Sequence, residues 1–164
     1  MTELQSIRIQ ANGAEQTLKL GEIIGKSLKP GSIIALTGEL GAGKSVLVKG
    51  IAKGLDVQEE PNSPTFVIMN RYEGRLPLFH FDLYRVADED ELIAMGYEEL
   101  FFGKGVAAVE WADRVPGVFP EDTIEIRITI PGGEESKNRR DITVKGVKEW
   151  VLSFKNTAAR ASLT

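Results

Sequence analysis

The sequence predicts an α/β protein in which helices cover a mixed β-sheet, and three observations lead to this prediction. An apolar run over residues 32–37, a glycine-rich segment and an amphipathic stretch follow one another as strand, loop and helix. Two apolar runs are joined across Glu73-Gly74-Arg75, which indicates an antiparallel hairpin. Residues 123–130 and 141–145 form a second antiparallel pair near the C-terminus.

The chain before the glycine-rich segment is predicted to contain a strand, a helix and a second strand. Residues 6–10 alternate like a short strand. Residues 14–28 carry apolar side chains at helical spacing, and Pro30-Gly31 ends that helix. Residues 32–37 are apolar enough to form a buried strand.

The chain after the glycine-rich segment begins with a predicted helix over residues 46–52. Residues 56–64 are acidic and contain proline, which predicts a surface loop near the glycine-rich segment. Residues 66–72 and 76–82 are the two strands of the hairpin, so the sheet contains both parallel and antiparallel strands.

The C-terminal half is predicted to contain three further helical segments and a buried strand. Asp88 is followed three residues later by Glu91, a capping pattern that predicts a helix to about residue 95. Residues 97–102 continue it after a glycine. Residues 106–109 form a buried strand, and residues 147–154 form the last helix, after the second antiparallel pair.

Composition indicates one domain over residues 1–155 and a polar C-terminal tail, residues 156–164, that frays. Without cysteine, and with His80 as its one histidine, the chain forms neither a disulfide nor a Cys/His zinc site. It has no signal-peptide pattern and no stretch of about 18 apolar residues, which favours a cytoplasmic protein that does not span a membrane. The net charge of −4 argues against a broad nucleic-acid-binding surface.

The glycine-rich segment, residues 38–45, reads GELGAGKS and matches the phosphate-binding P-loop. Its glycines let successive backbone N–H groups point at phosphate oxygens, and the positive end of the following helix adds to that field. Lys44 supplies a charge for the β- and γ-phosphates, and the Ser45 hydroxyl is offered to a Mg²⁺ ion on the same phosphates. The alternative is a glycine-rich turn without a ligand. The motif predicts a three-layer fold like that of P-loop NTPases, with nucleotide contacts from Gly41, Ala42, Gly43, Lys44, Ser45 and Val46.

A P-loop also needs an acidic group, because Mg²⁺ prefers oxygen ligands in octahedral geometry. Asp82 and Glu110 are the candidates, since each ends an apolar strand. Periodicity does not choose between them, and either could instead be a turn acid or a solvated strand end. Strand alternation puts His80 on the same face as Asp82, although a lone histidine is more often structural.

Four motifs follow one another along the chain: the P-loop, SPTF at residues 63–66, HFDLYR at residues 80–85 and the pair Glu110-Trp111. In order and spacing they together resemble one family, the TsaE (YjeE) ATPases of bacterial tRNA threonylcarbamoyladenosine biosynthesis. The resemblance covers roughly residues 14–145. It departs at Ser45, where the family usually has threonine, which carries the same hydroxyl.

The resemblance implies a small ATPase that uses ATP and Mg²⁺ and works with two partner proteins, TsaD and TsaB. Together they modify adenosine 37 of tRNAs, which this chain would reach through the complex with little direct binding. Trp111 looks like part of the nucleotide or partner surface, although a tryptophan can equally be a core aromatic.

The same resemblance implies roles for single residues. Ser45 and Glu110 look like the Mg²⁺ ligands, and Lys44 looks like the phosphate-binding lysine and a catalytic residue. Thr65 and Asp82 would lie in two switch-like segments near the γ-phosphate. Asp82 is then the candidate for positioning the attacking water.

The sequence also allows two other functions. A small-molecule kinase would need an acceptor pocket and commonly an arginine-rich lid, and the paired arginines here are Arg139 and Arg140. With Lys137 they form a basic cluster of a kind that is more often a solvated loop. A GTP-dependent regulatory module would need the guanine-reading Asn-Lys-x-Asp motif, which the sequence lacks. Arg85, near Asp82, is either a salt-bridge partner or a phosphate contact.

Overall fold

The computed structural model describes residues 2–64, 66–132 and 137–163. These residues form a seven-stranded sheet with the spatial order β1-β7-β6-β2-β5-β4-β3. The strands are β1 Leu4–Asn12, β2 Ile33–Thr37, β3 Met69–Tyr72, β4 Leu78–Asp82, β5 Val106–Glu110, β6 Ile124–Thr129 and β7 Arg139–Val147. The helices are α1 Ala14–Ser27, α2 Lys44–Gly54, α3 Glu89–Ala94, α4 Tyr97–Phe101 and α5 Lys148–Arg160, with short 3₁₀ turns at Ala112–Arg114 and Pro116–Val118.

The centre of the sheet is parallel and its two edges are antiparallel. Strands β6, β2, β5 and β4 run in one direction. Strand β3 pairs antiparallel with β4, and β7 pairs antiparallel with both β6 and β1. The predicted mixed sheet is therefore confirmed, including both antiparallel pairs.

Apolar side chains alternate between the two faces of the sheet and build one core on each. On β2, Ile34 and Leu36 belong to the core that contains α1, α2 and α5, whereas Ile33 and Ala35 belong to the other. The second core includes α3, α4 and the 3₁₀ turns. This helix, sheet and helix arrangement is the predicted three-layer fold.

Helices α1 and α2 approach each other at their backbones, because each carries two glycines four residues apart. A Cβ added at Gly21 would lie 2.3 Å from the Leu47 carbonyl oxygen, and one at Gly50 would lie 2.2 Å from the Leu18 oxygen. Gly25 and Gly54 repeat the contact one turn further on. The approach fixes α2, whose first residue is Lys44, against the rest of the core.

Several element boundaries differ from the prediction, and two of these differences have a clear physical reason. Strand β3 begins at Met69 rather than residue 66, because Phe66 and Val67 lie exposed in a turn and Ile68 has a left-handed φ of 69°. Helix α5 continues through Arg160, so the tail predicted to fray from residue 156 is helical over its first five residues. Ala158 extends the buried stripe of the helix and is fully buried, which holds that last turn on the core. Among the described residues, none of the helices is both long and apolar enough to cross a bilayer.

Candidate nucleotide-binding site

The P-loop connects β2 to α2, and its glycines adopt backbone angles that other residues rarely reach. Gly38, Gly41 and Gly43 have φ values of 151°, 82° and 111°. At Gly38 a Cβ would also lie 2.6 Å from the Ile128 carbonyl oxygen. The sequence pattern thus corresponds to a loop whose backbone is wound at the N-terminus of α2.

A cavity of about 450 Å³ opens between this loop and the carboxyl ends of the central strands. Parallel pairing aligns Asp82 with Glu110, and Glu110 with Leu36 near the end of β2. The residues that line the cavity therefore come from distant parts of the sequence. They are Leu40, Gly41, Gly43, Lys44, Ser45, Val46, Ser63, Asp82, Tyr84, Glu110 and Trp111.

Of the described residues expected to contact nucleotide or metal, Ala42 alone does not line this cavity. Its side chain is fully buried, and it lines a smaller pocket of about 190 Å³ on another side of the loop. Thr65, expected to be catalytic, lies outside the described residues, so its role stays a prediction.

Lys44 is held inside the loop. Its Nζ donates to the carbonyl oxygens of Gly38 and Glu39 at 2.5 and 3.0 Å, and it lies 4.0 Å from the centroid of the Trp111 ring. Burial lowers the pKa of Lys44, while nearby carboxylates, Glu110 foremost, oppose that shift. A phosphate in the cavity would favour the charged ammonium, because an anion nearby offsets the cost of burial.

Ser45 and Glu110 meet across the cavity. The Ser45 hydroxyl donates to Glu110 Oε1 at 3.0 Å, and the other carboxylate oxygen is 2.5 Å from His80 Nε2. His80 and Glu110 are almost completely buried. The buried Nδ1 of His80 has no hydrogen-bond partner among the described residues, so a proton on Nε2 that is donated to Glu110 fits the site. Glu110 is therefore oriented by two donors.

The pair Ser45 and Glu110 fits Mg²⁺. Both supply oxygen, the ligand type that Mg²⁺ prefers, and a hydroxyl that donates its proton to a carboxylate keeps its lone pairs for a metal. No group of three or more His, Asp or Glu side chains able to hold a metal occurs within residues 2–64, 66–132 and 137–163. An ion here would complete its shell with phosphate oxygens and water, as Mg²⁺ commonly does.

Asp82 lies at the end of β4, directly beside Glu110. Its Oδ1 accepts the Tyr84 backbone N–H at 3.0 Å, and its Oδ2 is 3.5 Å from the Ser63 hydroxyl. The residue is 5% exposed and lines the cavity. The backbone therefore fixes one of its carboxylate oxygens, while the residue borders the space above the P-loop.

Trp111 follows β5 directly but does not continue the alternation of that strand. The strand ends at Glu110, and Trp111 has a left-handed φ of 59°. Its ring packs 5.0 Å from the Tyr84 ring, beside Lys44. Arg85 was expected to be either a salt-bridge partner or a phosphate contact. Its guanidinium carbon lies 4.6 Å from the centroid of the Phe66 ring.

Comparison with known proteins identifies the family of the chain. The family model described as "Threonylcarbamoyl adenosine biosynthesis protein TsaE" matches residues 11–142. The chain belongs to the TsaE family. The TsaE protein of Treponema pallidum is 39% identical over 138 residues, which cover 84% of this chain and 99% of that protein. The TsaE protein of Bacillus subtilis is 37% identical over 145 residues, covering 88% of each chain.

A solved structure also resembles this TsaE-family chain over nearly its whole length. The crystal structure of Bacillus subtilis YdiB superposes with a TM-score of 0.76 at 29% sequence identity. The match covers 99% of each chain. The three-layer fold is therefore found in a solved relative as well.

Two site residues of this TsaE-family chain were not recognised from the sequence. His80 orients Glu110. The available signal was strand alternation, which puts His80 on the same face as Asp82. Arg140 was assigned to a solvated cluster, yet its Nε donates to the Ala42 carbonyl oxygen at 3.0 Å. No local pattern links two residues that are 98 positions apart.

Proposed function

We propose that this chain is a cytoplasmic, magnesium-dependent ATP hydrolase. It would act with TsaD- and TsaB-like partners in the threonylcarbamoyl modification of adenosine 37 in tRNA. The observation that carries the proposal is the convergence of Lys44, Ser45, Asp82 and Glu110 on one cavity at the N-terminus of α2. The pathway is supported by relatives from Treponema pallidum and Bacillus subtilis, which are named tRNA threonylcarbamoyladenosine biosynthesis proteins.

Phosphate binding would use the loop and Lys44. The backbone N–H groups at the start of α2 and the positive end of its dipole attract the phosphates. Lys44 exchanges its contacts with the carbonyls of Gly38 and Glu39 for phosphate oxygens, because a charged acceptor binds an ammonium more strongly than a neutral one.

Metal binding would use the hydroxyl of Ser45 and the carboxylate of Glu110, directly or through a water molecule. When bound there, Mg²⁺ would neutralise the charge that develops on the phosphates during transfer. His80 keeps the Glu110 carboxylate turned toward Ser45 through its Nε2–H. Ser45 and Glu110 lie on separate elements, α2 and β5, so the site depends on how those two elements pack.

Hydrolysis would use Asp82 to orient a water molecule. The water oxygen attacks the γ-phosphorus, and the bond from that phosphorus to the β–γ bridging oxygen breaks. ADP leaves with the electron pair, and the protons of the water leave with inorganic phosphate. Asp82 lies beside Glu110 at the cavity, and its Oδ1 is fixed by the Tyr84 N–H. Positioning of this kind acts mainly on the transition state. Thr65, two residues after Ser63 in the neighbouring segment, is proposed to assist near the γ-phosphate.

Contact with tRNA would be made through the partners. The chain carries 24 acidic and 20 basic residues, a balance that disfavours broad binding to a phosphate backbone. Trp111 and Tyr84, whose rings pack against each other at a tilt and both line the cavity, are proposed to lie where nucleotide and partner meet.

The experiment is phosphate release from ATP and from GTP, measured for the protein alone and with TsaD- and TsaB-like proteins. The expected result is Mg²⁺-dependent turnover of ATP that Lys44→Ala abolishes and Lys49→Ala retains. Lys49 is the matched control, since it lies on the same helix with its side chain 42% exposed. Equal turnover in the two variants, or turnover that needs an added small-molecule acceptor, would contradict the proposal. The second result would instead indicate a kinase.

A further inference from the structure

Arg140, at the start of β7, contacts the P-loop from outside the phosphate cavity. Its Nε donates to the Ala42 carbonyl oxygen at 3.0 Å, and one terminal nitrogen lies 3.4 Å from the Gly41 oxygen. The other terminal nitrogen donates to the carbonyl oxygens of Lys137 and Arg139. One guanidinium therefore joins two consecutive peptides of the P-loop to the backbone at the beginning of β7.

These contacts determine which way the loop peptides face. In a planar trans peptide the C=O and the following N–H point in opposite directions. With the Ala42 carbonyl directed at Arg140, the Gly43 N–H is held on the opposite side, and Gly43 lines the phosphate cavity. The Gly41 carbonyl is held in the same way, while the Ala42 N–H donates within the loop to the Glu39 oxygen.

The anchor is held by backbone pairing. Arg140 pairs with Ala11 of β1, and from Asp141 onward β7 is paired on both sides, with β1 and with β6. Just before the strand, the Asn138 carbonyl accepts the Gly13 N–H at 2.7 Å. The glycine-rich loop alone has many accessible conformations, because glycine restricts the backbone least.

We propose that Arg140 is a positioning residue that holds the P-loop in its anion-binding conformation before nucleotide arrives. Binding then avoids the cost of ordering the loop. A guanidinium suits this role because its planar fork donates to several carbonyls at once, which the single ammonium of lysine does not reproduce. The inference rests on the proposed nucleotide binding, but it concerns the shape of the empty loop and not the chemistry of hydrolysis.

The test compares Arg140→Ala, Arg140→Lys and the control Arg139→Ala. Arg139 is the neighbour on the same strand, and its guanidinium pairs with Asp141 at 3.1 Å. Binding of Mg·ADP is measured by calorimetry, and hydrogen exchange of the backbone amides of residues 38–45 is measured without nucleotide. We expect both Arg140 variants to raise the dissociation constant by about tenfold. We also expect them to speed exchange of the Ala42 amide, while Arg139→Ala changes neither quantity.

The outcomes separate this inference from the proposed function. If the unaltered protein does not bind Mg·ADP, the proposed function fails, and the exchange measurement alone decides the role of Arg140. Wild-type affinity and exchange in Arg140→Lys would overturn the inference, because positive charge alone would then suffice. Loss of the cooperative thermal transition in both Arg140 variants would also overturn it, since Arg140 would then be needed for the fold as a whole.

Discussion

Replacing Gly50 by alanine tests how the P-loop helix is held. A methyl group there would lie 2.2 Å from the Leu18 carbonyl oxygen, well inside the optimal contact distance of about 3.5–4.0 Å. Both atoms belong to helix backbone, so α1 and α2 must separate. Because backbone atoms cannot move aside like a flexible side chain, we expect overpacking to cost about 2–3 kcal/mol, against about 1 kcal/mol gained from the helix propensity of alanine. The separation disturbs fully buried side chains on both helices, namely Leu20, Ile24, Leu47 and Ile51.

The net loss of about 1–2 kcal/mol predicts a Tm lower by roughly 5 °C for a chain of this length. Because Ser45 moves with α2 while Glu110 stays on β5, the affinity for Mg·ADP should fall as well. The assays are thermal unfolding and calorimetry. Gly132→Ala is the control, since a Cβ at Gly132 meets no atom of the described residues within 4 Å. An unchanged Tm and affinity in Gly50→Ala would refute the close approach of the two helices.

Four further predictions concern the cavity. Lys44→Ala should weaken ATP binding by at least about tenfold in calorimetry, because buried phosphates lose their counter-charge; unchanged affinity would exclude that role. Asp82→Asn should leave nucleotide affinity nearly intact and lower turnover, since water is oriented in the transition state; equal losses in both would make Asp82 structural. Glu110→Gln should raise the Mg²⁺ concentration needed for half-maximal turnover, and an identical Mg²⁺ titration would argue against a ligand role. His80→Phe removes one of the two hydrogen-bond donors to the buried Glu110 carboxylate. It should lower the free energy of unfolding by about 1–3 kcal/mol in thermal or denaturant unfolding and raise the Mg²⁺ requirement. A lower stability with an unchanged Mg²⁺ requirement would mean that His80 acts only in the core.

Local patterns were sufficient for the elements that frame the cavity. The strand, glycine loop and helix order of residues 32–52 is local, and so is the hairpin across Gly74. Asp82 and Glu110 were both recognised as acids at strand ends. That they lie side by side depends on β5 pairing with β4 and β2, a strand order that no single segment encodes.

The remaining features depend on tertiary contacts. Strand β3 begins late because Phe66 and Val67 turn outward, although their residue types favour a strand. Helix α5 runs past the polar Asn156 because Ala158 packs on the core. Arg140 reaches the P-loop only because β7 crosses to its place between β1 and β6.

A crystal structure of the protein with Mg·ADP tests the central claim most directly. We predict that the β-phosphate lies in the P-loop, with Lys44 Nζ turned from the Gly38 carbonyl toward it. We also predict one Mg²⁺ ion about 2.1 Å from Ser45 Oγ, with Glu110 bound directly or through water. ADP bound outside the cavity, or an ion held by Asp82 with Ser45 and Glu110 both remote, would contradict the account.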